Sequence, residues 1–270
     1  MRGLCALAVF LGVIAQSGPA RAQPVEAVDR SALRVCADPS ALPFSAQDGQ
    51  GFENRIAALL ARQLGVPVHY TWFPNTIGFY RRTLNARRCD IVIGAPAGME
   101  MAATTQPYYR STFAIVTRAG DHLSIARLGD PALRGKRVGV QARTPAADLI
   151  ARQGLIDNIR SYDLLVDSRV TSVGGQMLDD LAANRIDAAV LWGPVAAYQV
   201  GRHPGLYAVT LLGEAEDGVP LAYDIAMAVR NGEPQWRARI DRFITDQRAQ
   251  IREILVAAAV PLQPAREARR

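Results

Sequence analysis

Residues 89–110 read CDIVIGAPAGMEMAATTQPYYR. Ile91, Val92 and Ile93 form a short apolar run, the mark of a buried strand. The run ends in Gly94, Ala95, Pro96, Ala97 and Gly98, a small-residue turn where backbone can lie close to a bound surface. Two threonines and then Pro107, Tyr108, Tyr109 and Arg110 follow. A buried strand that feeds a small-residue loop with aromatics behind it is how open α/β sheets build a cleft.

Outward from this stretch the same alternation recurs. Leu33, Val35 and Cys36 predict a strand, and residues 53–64 an amphipathic helix. Ile56, Leu59, Leu60 and Leu64 share one face of it, and Gly65 stops it. Residues 66–72 alternate as a second strand, and residues 77–86 predict a second helix ahead of the 91–93 strand. This β-α-β-α-β order implies an α/β arrangement with a parallel sheet. Downstream, residues 111–118 are β-rich. The pattern then restarts with a strand over 137–140, a helix opened by Thr144 and Pro145, and an apolar strand over 186–192. Residues 223–230 predict a last strand. One long helix is expected over 235–259, with Ile240, Phe243, Ile244, Ile251, Ile254 and Leu255 as its stripe. Two α/β units in series imply two lobes.

Residues 1–22 carry an early arginine, a short apolar run and an Ala20-Arg21-Ala22 cleavage pattern, so a signal peptide is expected. The competing reading is a membrane anchor, disfavoured by the shortness of the run. The mature chain then begins near Gln23 with about 248 residues (270 minus 22), exported and soluble. The pI near 9.6 does not point to nucleic acid. Of the formal charge of +6, Arg2 and Arg21 account for two, and three arginines less one glutamate in residues 266–270 for two more. The body is near +2. No basic run is interleaved with aromatics. Export leaves Cys36 and Cys89, each flanking a strand. In an oxidising compartment they are a disulfide candidate, contributing ~4 kcal/mol by loop entropy. The alternative is two buried thiols held apart by strand register.

The segments LRVCADPSALPF, GFENRIAALLARQLG, CDIVIG with PYYRSTFAIV, LRGKRVGVQARTPAADLI, NRIDAAVLWG and YDIAMAVR stand in the order of the periplasmic solute-binding proteins that deliver amino acids to ABC transporters. Over nearly all its mature length the chain resembles that family. The resemblance implies an α/β, two-lobed periplasmic-binding-protein-like fold (type II), each lobe an open, mostly parallel sheet with flanking helices. Lobe 1 would comprise residues 23–119 plus 222–262 and lobe 2 residues 120–221, with a flexible tail over 263–270. Crossovers are expected near 118–120 and 221–223. An amino-acid receptor of this family carries an arginine just after the loop that Gly94 opens here, as a bidentate clamp for the α-carboxylate. It also carries an aspartate at the end of the NRIDAAV strand. Here the corresponding residues are Ala97, Gly98 and Met99, and Trp192. An amino-acid zwitterion would be left unpaired at both charges, at a cost of several kcal/mol.

A narrower resemblance covers both lobes. GFENRIA, YTWFP with Gly78-Phe79, CDIVIGAPAG, TTQPYYRSTFAIV, AAVLWGPVAAY and LAYDIAMAVR are similar to the quinoprotein-dehydrogenase-associated solute-binding-like proteins of the MxaJ/XoxJ type. This implies a periplasmic accessory of a pyrroloquinoline-quinone (PQQ)-dependent methanol or alcohol dehydrogenase. The accessory would bind the enzyme or a segment of it during maturation or activation, with no cofactor and no catalysis of its own.

The candidate cleft residues are Phe44, Trp72, Phe79, Ala97, Gly98, Tyr108, Tyr109, Arg110, Thr144 and Trp192. Aromatics at a cleft suit a peptide or protein segment, while core burial is the competing reading for each ring. Arg110 reads as a carboxylate acceptor or, more blandly, as a surface ion pair. His69, His122 and His203 are scattered, so no metal site is expected. Asp38 and Glu53 read as a turn residue and a helix start. Three functions compete: a dehydrogenase accessory, a transporter receptor for an apolar or weakly charged solute, and an enzyme such as a dehydratase. A wide apolar groove would mark the first and a closed pocket of small-molecule size the second. A cleft carboxylate of strongly perturbed pKa would mark the third.

Overall fold

A computed structural model describes residues 26–264, apart from the Ile156 side chain. The expected signal peptide lies outside the described residues. The strands that organise the fold are β1 (Leu33–Ala37), β2 (Val68–Trp72), β3 (Val92–Pro96), β4 (Tyr109–Arg118), β5 (Val138–Gln141), β6 (Ile159–Tyr162), β7 (Ala188–Trp192), β8 (Tyr207–Leu211) and β9 (Ala222–Val229). The helices are α1 (Phe52–Leu64), α2 (Phe79–Arg82), α3 (Pro145–Arg152), α4 (Val173–Ala182), α5 (Gly193–Gly201), α6 (Pro234–Asp246) and α7 (Arg248–Ala257).

The fold is the two-lobed α/β arrangement of periplasmic binding proteins. The βαβ units supply parallel pairs: β1 with β2, β5 with β6, and β5 with β7. The strands that run between the lobes add antiparallel pairs, β9 with β3 and β4, and β4 with β7 and β8. One sheet in the order β3-β9-β4-β7-β5-β6 therefore runs through the whole molecule.

Of the buried clusters along this sheet, two groups flank the cleft, one under α1 and one in two layers about β4, β5 and β7, with a smaller cluster around the Cys36–Cys89 pair and Phe79. In the first, Phe52, Ile56 and Leu60 of α1 are fully buried against Ile91, Ile93, Ile240 and Phe243. Burying each such side chain is worth about 1.5–3 kcal/mol. In the second, Ile115, Val140 and Val190 face one layer and Ala114, Val116 and Leu191 the other, the period-2 alternation of a two-sided sheet. Strand β4 leaves the first core at Tyr109 and enters the second at Phe113. It pairs with β9 as far as Thr112 and with β7 from Phe113 onward. The β-rich run is thus one continuous strand serving both cores.

Three expectations need correction. The helix expected over 77–86 shrinks to Phe79–Arg82. Gly78 is left-handed (φ 89°), and the Thr83 hydroxyl donates to the Phe79 carbonyl at 2.6 Å where the helix ends. The single C-terminal helix is two, broken at Gln247 (φ −104°, ψ 16°). Ile244 and Ile251 lie seven residues apart, two helical turns, so the apolar stripe reads straight through the break. Gln263, placed in the flexible tail, donates its backbone N–H to the Arg110 carbonyl at 2.8 Å. Residues 265–270 lie outside the described residues.

Cys36 and Cys89 form a disulfide with Cα atoms 5.5 Å apart, joining β1 to the approach to β3. Beside it Asp90, with no exposed surface, pairs with Arg34 at 2.7 Å and Arg230 at 2.6 Å. Trp236 donates its indole N–H to the Asp90 carbonyl at 2.9 Å. The N-terminal strand, the end of β9 and α6 are thereby fixed together under one wall of the cleft.

Candidate functional site

The cleft lies at the C-terminal edge of β1 and β3, where the two cores meet. It is a cavity of about 190 Å³ bordered by Asp38, Phe44, Glu53, Asn75, Phe79, Gly94, Ala95, Pro96, Tyr109, Trp192 and Ile225 among others. Its aromatic wall is built from both cores. Phe44 meets Phe52 edge-on at 5.5 Å and Phe52 meets Tyr109 at 6.1 Å. Trp192 meets Phe113 at 5.4 Å and Tyr223 at 6.2 Å. Trp192 is half-buried and touches both cores, so it is at once a packing residue and a cleft residue.

Local backbone explains how Phe44 and Glu53 come together. The Phe52 and Glu53 N–H groups at the start of α1 donate to the Pro43 and Phe44 carbonyls, each at 2.9 Å. A Cβ on Gly51 would sit 2.0 Å from the Phe44 carbonyl oxygen, so only glycine allows the approach. Gly94 plays a comparable part: a Cβ there would lie 2.0 Å from Glu53 Oε1. The close approach that the small-residue turn predicted for a bound surface is made by the protein's own Glu53 carboxyl.

The cleft has two acids and, among its described lining residues, no basic side chain. Asp38 is held firmly. Its Oδ1 accepts from the Ser40 N–H at 2.9 Å and its Oδ2 from the Asn75 N–H at 2.6 Å. The Ser168 hydroxyl also donates to Oδ1, and Ser168 belongs to the segment between β6 and α4. That bond joins positions 130 residues apart in the chain. Glu53 is different. Burial, and then the Asp38 charge beside it, push its carboxyl up to about 8. It is therefore neutral at pH 7, an O–H donor as well as an acceptor. The turn and helix-start readings account for Asp38 but not for Glu53. From sequence, a glutamate in the first turn of an amphipathic helix reads as a dipole partner. Only the fold shows that this turn faces inward over Gly94.

The sequence candidates divide. Phe44, Phe79, Tyr109 and Trp192 border the cleft. Ala97 and Gly98 lie just beyond it; the Gly98 N–H donates to Thr104 Oγ1 at 3.0 Å. Trp72 stacks on Tyr70 at 4.4 Å, away from the cavity. Thr144 is buried and caps α3, accepting from the Ala147 N–H at 3.2 Å. Tyr108 and Arg110 border a second cavity, of about 400 Å³, behind β4. Arg110 is not a surface ion pair: it is 4 % exposed, with Nη1 3.1 Å from Asp224 Oδ2. Asn75, Ser45 and Ser168 had no signal in the sequence: Asn75 and Ser168 reach the cleft from loops, and Ser45 from a two-residue strand too short to show a period. Among the described residues no group of three His, Cys, Asp or Glu could hold a metal ion. None of their helices is long and apolar enough to cross a membrane.

The family model of bacterial extracellular solute-binding proteins, family 3, matches residues 33–255. Protein MoxJ of Methylorubrum extorquens is 30 % identical over 95 % of this chain and 93 % of its own length. The crystal structure of the periplasmic binding protein XoxJ from Methylobacterium extorquens AM1 is 32 % identical. It covers 86 % of this chain and all of its own, with a TM-score of 0.72. The structure of MxaJ from Methlophaga aminisulfidivorans MPT has the same TM-score and coverage at 23 % identity, which speaks to the fold alone.

Proposed function

The chain belongs to the bacterial extracellular solute-binding proteins, family 3, and on that premise we propose a binding role turned towards a protein and away from nutrient uptake. It acts in the periplasm, exported by a cleavable signal peptide, as an accessory of a PQQ-dependent methanol or alcohol dehydrogenase. There it binds the enzyme or a segment of it during maturation or activation. Similarity to MoxJ and XoxJ over most of the chain supports this reading. The observation that carries it is the acidity of the cleft: Asp38 and the protonated Glu53 line it, and none of its described lining residues is basic. An α-amino acid would bring its carboxylate to two acids and find no clamp. Residues 23–119 with 222–262 and residues 120–221 are its two lobes, save that β4 crosses between them near Thr112.

The test is capture from periplasm with the mature protein. Recovery of a quinoprotein dehydrogenase is expected; recovery of a membrane permease would sink the proposal. Trp192→Ala should weaken capture at least about tenfold while the variant still melts cooperatively, since a buried aromatic anchor contributes ~2 kcal/mol or more to an interface. Loss of the fold instead would make Trp192 a core residue only.

The compact cavity favours a second reading, a receptor for a small apolar or weakly charged solute. Its volume is below the ~300–1,000 Å³ of drug-sized sites, and it is not a wide groove. A tightly held small molecule released on denaturation would establish that reading. The raised Glu53 carboxyl is what a catalytic reading would need. Asp38 stands beside it, but its oxygens are taken up by Ser40, Asn75 and Ser168, and we assign Glu53 to binding.

A further inference from the structure

Strand β4 has a second pocket behind it. Its floor is Arg110 with Tyr108 and Tyr109. Its walls are Asp224 of β9, Leu255 of α7, and Leu262 and Gln263 of the closing segment. Arg248 and Arg252 stand at its rim, one turn apart on the same face of α7. Both are exposed, and neither is in an ion pair with a described residue.

The polar groups of this pocket are short of acceptors. Arg110 gives Nη1 to Asp224 at 3.1 Å, and Nη2 lies 3.8 Å from Glu214, whose side chain is 55 % exposed. Its Nε is buried and donates to nothing. The Tyr108 hydroxyl is buried and has no partner either. Burial, and then Tyr109 and Glu53, push that phenol well above its ordinary value, so it stays protonated and available as a donor. Unpaired buried donors are rare in folded proteins because each carries its full desolvation penalty. Two of them border one cavity here, flanked by two unpaired guanidiniums and opposed by a single lining acid, Asp224.

We propose that this rear pocket binds a carboxylate, with Arg110 and Tyr108 at its base and Arg248 and Arg252 at its rim. A planar carboxylate fits guanidinium donors in a way a point anion does not. The group arrives either on a free small acid or on an acidic side chain of a docking protein. Arg110 and Asp224 are register partners on the two strands that pass between the lobes, and Tyr109 borders both this pocket and the cleft. An occupant of the rear pocket therefore presses on the strands that carry the cleft.

The test is isothermal titration of the full mature protein with succinate and, separately, with tetraglutamate, each at ionic strength matched with sodium chloride. The variants are Arg248→Ala/Arg252→Ala, which changes only exposed side chains, and Tyr108→Phe, which removes one orphaned hydroxyl and keeps the ring. Affinity should fall at least about tenfold in the double variant, the loss expected of one charge-assisted hydrogen bond, and measurably in Tyr108→Phe. Binding of succinate that is lost in the variants supports a free acid as occupant. Binding of tetraglutamate alone, lost likewise, supports a docking chain. No binding of either probe, or binding that the double variant leaves unchanged, overturns the proposal.

Discussion

The two faces of strand β4 carry opposite chemistry. Tyr109 looks into a cleft whose acidic lining residues are Asp38 and the protonated Glu53. Arg110, the next residue, lies against a pocket rimmed by Arg248 and Arg252. Tyr109 borders both spaces, so this strand divides an acidic, aromatic site from a basic one with that ring as the shared wall. A binding protein of this size thus offers two unlike surfaces on the same pair of crossing strands. The cleft side is also the braced side. It has the disulfide and the Asp90 pairs beneath it, while the rear pocket is closed by α7 and the segment ending at Gln263.

The largest expected effect comes from removing the brace. Cys36→Ser/Cys89→Ser should lower stability by ~4 kcal/mol, read by urea denaturation. Hydrogen exchange should rise in residues 33–37 and 89–96 and stay unchanged in 248–263. A uniform rise would show that the two sides are not separately supported. Next comes the pH dependence. Glu53 titrates near 4.5 when unfolded, and its folded value is raised to about 8. The stability it contributes is therefore present below pH 4.5 and lost as pH rises through 8. Glu53→Gln should melt at the same temperature as the parent near pH 4.5 and several degrees higher at pH 9. Parallel melting curves across the range would break the contrast between the faces. The smallest effect is that of Ser168→Ala, which removes one hydrogen bond to a charged group across the cleft, worth about 1–2 kcal/mol. Small-angle scattering should show a more open particle with the rear pocket's affinity unaltered; an identical profile would deny Ser168 a closing role.

Most of the alternation was legible before folding. The stripe of Ile56, Leu59 and Leu60 and the Thr144 cap with Pro145 read correctly, because burial and capping leave short-range periodic marks; the 91–93 run is a strand too, but it continues through the expected turn to Pro96. The break at Gln247 did not, since a seven-residue step preserves the helical stripe. Phe44, Phe79, Tyr109 and Trp192 were legible as cleft candidates because they flank strand ends or turns. Trp72, with the same local signature, stacks on Tyr70 instead.

By itself, then, the sequence determined the α/β class and the order of its repeated strands and helices, both of which depend on what stands at a position. The tertiary structure alone decided which way neighbouring residues face. It turned Glu53 inward over Gly94 and raised its carboxyl. It sent Arg110 behind the strand to Asp224, and it brought Ser168 across to Asp38 from 130 residues away. The physical reason is that desolvation and ion pairing depend on the surroundings in space. A chain read in one dimension carries its hydrophobic period but not the partners that folding brings to each charge.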